Sequence, residues 1–329
     1  TVENAGVPPT PPEAHQQAGG KSKQAPKRTA EKKDIKQDIT NKIIELMEAG
    51  PAAWKKTWEE AADTGFPINA TTGAAYRGIN ILLLWMAGVN AGYTSNKWMT
   101  FKQAQAIGAN VRKGEKSVTC VFFDMIKKKE VKEGESEFFP MVKAFHLFNL
   151  DQIENVPADM LDTTPATEPK TFNPCELAEQ FLTATGAQIE HHGSRAFYSP
   201  SLDKIVLPAP EAFITPANYY ATAAHELTHW TGHKSRLDRD FSNKTRFGDE
   251  TYAFEELVAE LGSAFLSGLF GFVDATVENH ASYLASWIKV LKNDKNAIFT
   301  AAKHASAAFD YLAALTGTSE QGEAEPPIL

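Results

Sequence analysis

The five residues His225-Glu226-Leu227-Thr228-His229 constrain this chain more than any other stretch. Ala221 to Ala224 lead into them as good helix formers and Trp230 follows, so the segment reads as helix. Positions i and i+4 share one helical face a turn apart, which aims two imidazoles at one place. Two such rings can hold one Zn²⁺ at roughly 2.0–2.1 Å. Glu226 projects about 100° round the axis, outside the ligand set but within reach of water at the ion. Such an ion brings the pKa of water near neutrality, and a carboxylate in that position can take the proton. The pattern is that of the zincin metalloproteases, so the fold must bring a third ligand to this helix.

The stretch 252–266 supplies one. It reads as an apolar helix that carries Glu255, Glu256 and Glu260, and carboxylates on a buried helix need partners. Glu256 and Glu260 share a face. Glu256 is expected as the third ligand and Glu260 as the acceptor for a ligand imidazole N–H. Two imidazoles and a carboxylate favour Zn²⁺, while Mn²⁺, Co²⁺ and Ni²⁺ suit the same donors. His233 follows His229 by four residues, but Gly232 is expected to end the helix first. His280 and Tyr283, one turn apart, read either as part of an amphipathic helix or as a transition-state donor pair. Zincins bind extended substrates along a sheet edge, and Lys204-Ile205-Val206-Leu207 is the candidate strand.

The 329 residues are 43% hydrophobic, enough for a sizeable core, and the length suggests two domains. Residues 1–30 are polar and proline-rich and read as a disordered tail with no signal-peptide core. Residues 31–153 form the first expected domain. It has helices at 35–47 and 78–91, a short helix capped by Thr100, and paired strands at Ser117–Phe123 and Met141–Leu150. The charged stretch Lys127–Glu137 is the loop between those strands. Residues 154–172, with Pro157, Pro165 and Pro169, read as a linker that separates two cores. Residues 173–316 form a mainly helical second domain with a small sheet, and 317–329 a polar tail. The longest apolar run, Ile79 to Val89, is too short to span a bilayer, so no membrane partner is expected. Cys120 and Cys175 are the only cysteines, which points to a reducing, cytoplasmic compartment.

The net charge of −8 conceals an asymmetry. Residues 31–150 hold 17 basic and 14 acidic side chains, whereas 151–329 hold 12 and 25. Within 71–120, Arg77, Lys97, Lys102, Arg112, Lys113 and Lys116 face one acidic residue, Glu115, with Tyr76, Tyr93, Trp98 and Phe101 interleaved. Cations that track a backbone and rings that stack on bases are what single-stranded nucleic acid requires. The expected DNA-binding set is Tyr76, Arg77, Lys97, Trp98, Lys102, Arg112, Lys113 and Lys116. Trp85, inside an apolar run, reads as core.

Three segments of the first half carry a resemblance: Tyr76-Arg77-Gly78-Ile79-Asn80, Trp98 to Gln103, and Gly108 to Lys116, with Phe148 to Gln152 as a closing strand. They resemble the N-terminal domain of ArdC-type antirestriction proteins, which TraC-type plasmid primases share. The second half, with His225–Trp230, Gly232–Leu237, Arg246-Phe247-Gly248 and Glu255–Leu261, resembles the zincin-like metallopeptidase domain that follows it in ArdC. The resemblance covers residues 32–315. It implies a plasmid- or mobile-element-borne protein that binds single-stranded DNA and protects incoming DNA from host restriction, during conjugation. It also places the metal triad on His225, His229 and Glu256 with Glu226 as base. The motif implies proteolysis without naming its substrate, for which a host restriction-related protein is one candidate.

The expectation is therefore a two-domain α+β protein with a single-stranded-DNA-binding first half and a zincin-like second half. Its rival is a DNA-binding protein or primase accessory whose metal is structural or vestigial. Glu226 speaks for the enzyme, because a structural site needs no base beside its ligands. A primase reading would need an acidic nucleotidyl-transfer site, which the sequence does not offer.

Overall fold

The computed structural model describes residues 34–54, 65–127, 138–161, 174–239, 250–272 and 280–318. The tails at 1–30 and 319–329, most of the linker, most of the Lys127–Glu137 loop and Arg246-Phe247-Gly248 lie outside these residues. The described residues from Ile35 onward belong to one compact unit.

The first half opens with helix α1 (Ile35–Glu48), whose buried face is Ile39, Ile43, Ile44 and Met47. A four-stranded sheet follows in the order β1 (Ile68–Asn69), β2 (Lys97–Met99), β5 (Phe138–Asn149), β4 (Val118–Lys127). Strands β4 and β5 are the expected antiparallel pair, with Cys120 opposite Phe145 and Val118 opposite Leu147. Helix α2 (Ile79–Ala91) packs on this sheet. Helix α3 (Phe101–Ala106) starts where Thr100 and Gln103 exchange side-chain and backbone hydrogen bonds, a capping box that holds two otherwise unpaired amides. Strands β3 (Asn110–Val111) and β6 (Ile153–Glu154) form a separate two-stranded ribbon.

The second half begins with helix α4 (Pro174–Ala184) and a three-stranded sheet. Its order is β7 (Gln188–His191), β9 (Lys204–Leu207), β8 (Phe197–Ser199). Strand β9 is paired on both sides, parallel to β7 and antiparallel to β8. It therefore has no open edge, and the expectation that Lys204–Leu207 receives substrate is corrected: among the described residues the outer strands of this sheet are β7 and β8. Helix α5 (Pro216–Thr231) is capped by Thr215, whose hydroxyl accepts from the Asn218 amide, with Pro216 in the first turn. Helices α6 (Glu250–Phe270), α7 (His280–Asn293) and α8 (Ala297–Thr316) complete the half. Among the described residues, no helix is long and apolar enough to cross a membrane.

The α+β class is as the sequence indicated, but the expectation of separate cores is corrected. One hydrophobic cluster takes Ile39, Ile43, Trp54, Ile79 and Leu82 from the first half and Leu257, Leu261, Phe265, Trp287 and Ile298 from the second. The apolar stripe of α1 packs against α7 of the second half. A second cluster, built on Phe181, Ile205, Leu207, Leu227 and Phe270, lies within the second half.

Candidate metal centre

Helix α5 is buried at every residue from Ala221 to Thr231, so its polar side chains must find partners inside the protein. Helix α6 crosses it closely. A Cβ built at Gly262 would lie 2.5 Å from the Thr228 side chain, and Ser263 Oγ donates to the Ala221 carbonyl at 2.8 Å. Glycine is required at that crossing. Thr228 sits between the two motif histidines, so this contact sets the depth at which α6 presents its carboxylates.

His225, His229 and Glu256 converge. One donor atom from each lies within 4.8 Å of the others. Glu256 oxygens lie 3.4 Å from His225 Nε2 and 3.5 Å from His229 Nε2. Tetrahedral ligands at roughly 2.0–2.1 Å from one ion sit about 3.3–3.4 Å apart. The donors therefore fit a small divalent cation in both spacing and chemistry, and these three residues form a metal-binding site. Burial disfavours charge on Glu256, but hydrogen bonding to both imidazoles outweighs it and holds the carboxyl well below the usual range. For His229, burial also opposes the charge. Hydrogen bonds to Glu255 and Glu256 prevail and push it up to about 10.

Glu226 is 7% exposed, and burial raises its carboxyl above the ordinary range although both histidines pull the other way. It accepts a hydrogen bond from the Tyr198 backbone amide. Strand β8, one of the two outer strands of the small sheet, thus lies against the motif helix at the base itself. Tyr252 donates toward Glu256, and its hydroxyl lies 3.3 Å from that of Tyr283. Tyr283 also stacks on Trp287 at 6.0 Å. The side chain of His280 lies outside the described residues. Helix α5 ends at Thr231 as expected, and His233 Nδ1 bonds Ser235 at 2.8 Å, away from the ligand set.

The second carboxylate on α6 needs correction. Glu260 accepts from the Trp54 indole N–H at 3.2 Å and not from a ligand imidazole. Glu255 holds the expected place: His229 Nδ1–H donates to its Oε1 at 3.2 Å. Glu255 also pairs with the buried Arg239 at 3.0 Å. Among the described residues, His225 Nδ1 is buried and meets no hydrogen-bond partner. The carboxylate behind His229 was hidden from sequence because all three glutamates stand on one apolar helix, and only the packing of α6 on α5 selects among them.

The expected DNA contacts divide. Lys102, Arg112, Lys113 and Lys116 are exposed. Arg112 is paired with Glu115 at 2.9 Å and donates to the Asp151 carbonyl. Arg77 is paired with Asp310 of α8, and Lys97 Nζ donates to the Met160 carbonyl at 3.0 Å. Tyr76 is half-buried, with its hydroxyl 3.4 Å from Asn69 Nδ2. Trp98 is a correction. It is 2% exposed and packs against Leu84, Cys120 and Leu147, so it offers no surface ring to a base. Phe101 is 48% exposed beside Lys102, with Phe148 at 6.4 Å between centroids.

Comparison with known proteins finds a family match for each half of the chain. Residues 33–148 match the family described as the N-terminal domain of anti-restriction factor ArdC, and 176–304 match the zincin-like metallopeptidase family. The crystal structure of the antirestriction protein ArdC from plasmid R388 is similar in its metal-free form, with a TM-score of 0.72 and 40% identity. That match covers 88% of this chain and all of the other. Its Mn(II)-bound form gives a TM-score of 0.71 at 39% identity, over 87% of this chain and all of the other. An uncharacterized protein of Sinorhizobium fredii, y4eC, is 34% identical over 88% of this chain and 95% of its own length. A DNA primase TraC of Escherichia coli is 40% identical over 86% of this chain and 20% of its own length. A second, at 39%, shares 86% of this chain and 27% of its own length. The chain thus spans about a fifth to a quarter of the TraC relatives it matches.

Proposed function

Since the chain belongs to the ArdC family of antirestriction proteins, we propose that it binds single-stranded DNA through its first half and hydrolyses peptide bonds at the metal centre of its second. In this reading it acts in the cytoplasm of a cell receiving plasmid DNA and protects that DNA from restriction. A host restriction-related protein is the substrate class.

The observation that carries the enzymatic reading is the placement of Glu226. It is buried beside both histidines, is not among the three ligands, and has a carboxyl raised by burial. A divalent ion at His225, His229 and Glu256 would supply Lewis acidity toward a carbonyl and toward water. Glu226 would take a proton from the attacking water and deliver it to the departing nitrogen. A raised pKa suits both transfers, because a strongly acidic carboxyl would accept the proton poorly. The edge of β8 would align an extended chain through backbone hydrogen bonds, and the Tyr252–Tyr283 hydroxyl pair would donate to the developing oxyanion. Zinc is the ion that these donors suit best. Manganese is the second reading, favoured by the Mn(II)-bound state of the R388 relative.

For DNA, Lys102, Arg112, Lys113 and Lys116 supply exposed cations and Phe101 an exposed ring. Arg77 and Arg112 are exposed but paired within the chain, and Lys97 donates to the Met160 carbonyl, so these three would contribute less than Lys102, Lys113 and Lys116. The test of the enzymatic reading is cleavage of an unfolded protein substrate by wild type and by Glu226→Gln. Glu226→Gln should retain the metal and lose cleavage. Equal cleavage by the two proteins refutes the role of Glu226.

A further inference from the structure

Arg239 is no ligand, yet it is tied to the helix of one ligand and to the carboxylate behind it. Its side chain is 5% exposed. Nη1 donates to Thr231 Oγ1 at 2.9 Å, Nη2 donates to the Thr228 carbonyl, and Nε and Nη2 both reach Glu255. The chain arrives there through a turn closed by Leu237 N–H to the Thr231 carbonyl, with Asp238 at φ +49°. That left-handed residue is one that aspartate tolerates better than most. Arg239 therefore bonds the last turn of α5, where unpaired carbonyls and the helix dipole favour a cation.

We propose that Arg239 is a positioning residue of the metal site: by fixing the Glu255 carboxylate it fixes the tautomer and ring plane of His229, and so sets the affinity for the ion. The inference rests on the metal site alone and not on peptide hydrolysis. The physical steps are short. A carboxylate as buried as Glu255 is costly without a cation beside it. Arg239 meets it with two nitrogens of its fork, which fixes direction as well as charge. Glu255 can then only accept, so Nδ1 keeps its proton and Nε2, 3.5 Å from Glu256, is the nitrogen left to give its proton up to an ion. Among the described residues, no carboxylate supports His225 Nδ1 in this way. Control of affinity through a neighbouring carboxylate thus falls on the His229 side.

The test is Zn²⁺ affinity, by competition with a chelating dye, for the full chain carrying Arg239→Met, Glu255→Met or both. Each single variant should bind Zn²⁺ about 10- to 100-fold more weakly. The double variant should be no weaker than Glu255→Met, because both residues act on one arm. It also leaves no unpaired buried charge, so its melting temperature without metal should be at least that of Arg239→Met. If Arg239→Met fails to fold, the comparison of Glu255→Met with the double variant decides: equal affinity supports the proposal. A further tenfold loss in the double variant overturns it, as does unchanged affinity in a folded Arg239→Met.

Discussion

The Trp54 indole N–H donates to Glu260 Oε1 at 3.2 Å, across 206 residues of chain. Trp54 is fully buried, and its ring lies 6.1 Å from that of Trp287 on α7. The first half thereby reaches the helix that carries the third metal ligand. Trp54→Phe should remove the donor to a buried carboxylate and cost about 1–3 kcal/mol of stability. Calorimetry of the wild type should show one cooperative transition. Two resolved transitions would contradict a shared core.

The carboxylates of α6 should separate by role. Glu256→Ala removes a ligand and should abolish tight metal binding. Glu255→Ala should weaken binding by about 10- to 100-fold through His229. Glu260→Ala should leave affinity nearly unchanged and lower the melting temperature, because the indole of Trp54 loses its acceptor. Isothermal titration with Zn²⁺ on the three variants checks the order.

Metal binding should release protons. His229 is pushed up to about 10 by Glu255 and Glu256, so it carries a proton at neutral pH that a metal must displace. A raised pKa means that the protonated form persists until the pH rises through it. Affinity should therefore increase with pH across the neutral range. Titrations in buffers of different ionisation enthalpy count the protons, and no release at pH 7 would contradict the assignment.

How much of this was legible from sequence differs by residue. His225, Glu226 and His229 were, because helical spacing alone fixes their geometry, and Glu256 followed from a carboxylate on an apolar helix. Glu255 and Glu260 were not. Their partners, His229 and Trp54, are set by how α6 rotates against α5 and against a tryptophan from the far end of the chain. Trp98 misled for a related reason. It and Met99 are consecutive yet both buried, because β2 is covered on its two faces by different clusters. A polar neighbour such as Lys97 gave no sign of that. Likewise, the order β7-β9-β8 places Lys204–Leu207 centrally, and strand order is a tertiary property.

On the DNA side, Trp98→Ala should behave as a core deletion and cost about 3–5 kcal/mol of stability. Lys113→Ala or Lys116→Ala should keep the melting temperature and shallow the salt dependence of single-strand affinity. The log–log slope should change by about 0.7 for each phosphate that is no longer neutralised. Phe101→Ala should weaken binding by about 1–3 kcal/mol with the slope unchanged. Fluorescence anisotropy over a salt series separates these outcomes, and salt-independent binding would contradict the assigned surface.

The most direct test of the metal centre is the metal content of the purified chain by elemental mass spectrometry, compared with His225→Ala. The convergence of His225, His229 and Glu256 predicts one divalent ion per wild-type chain and none held by the variant. Equal metal content in the two proteins would contradict it.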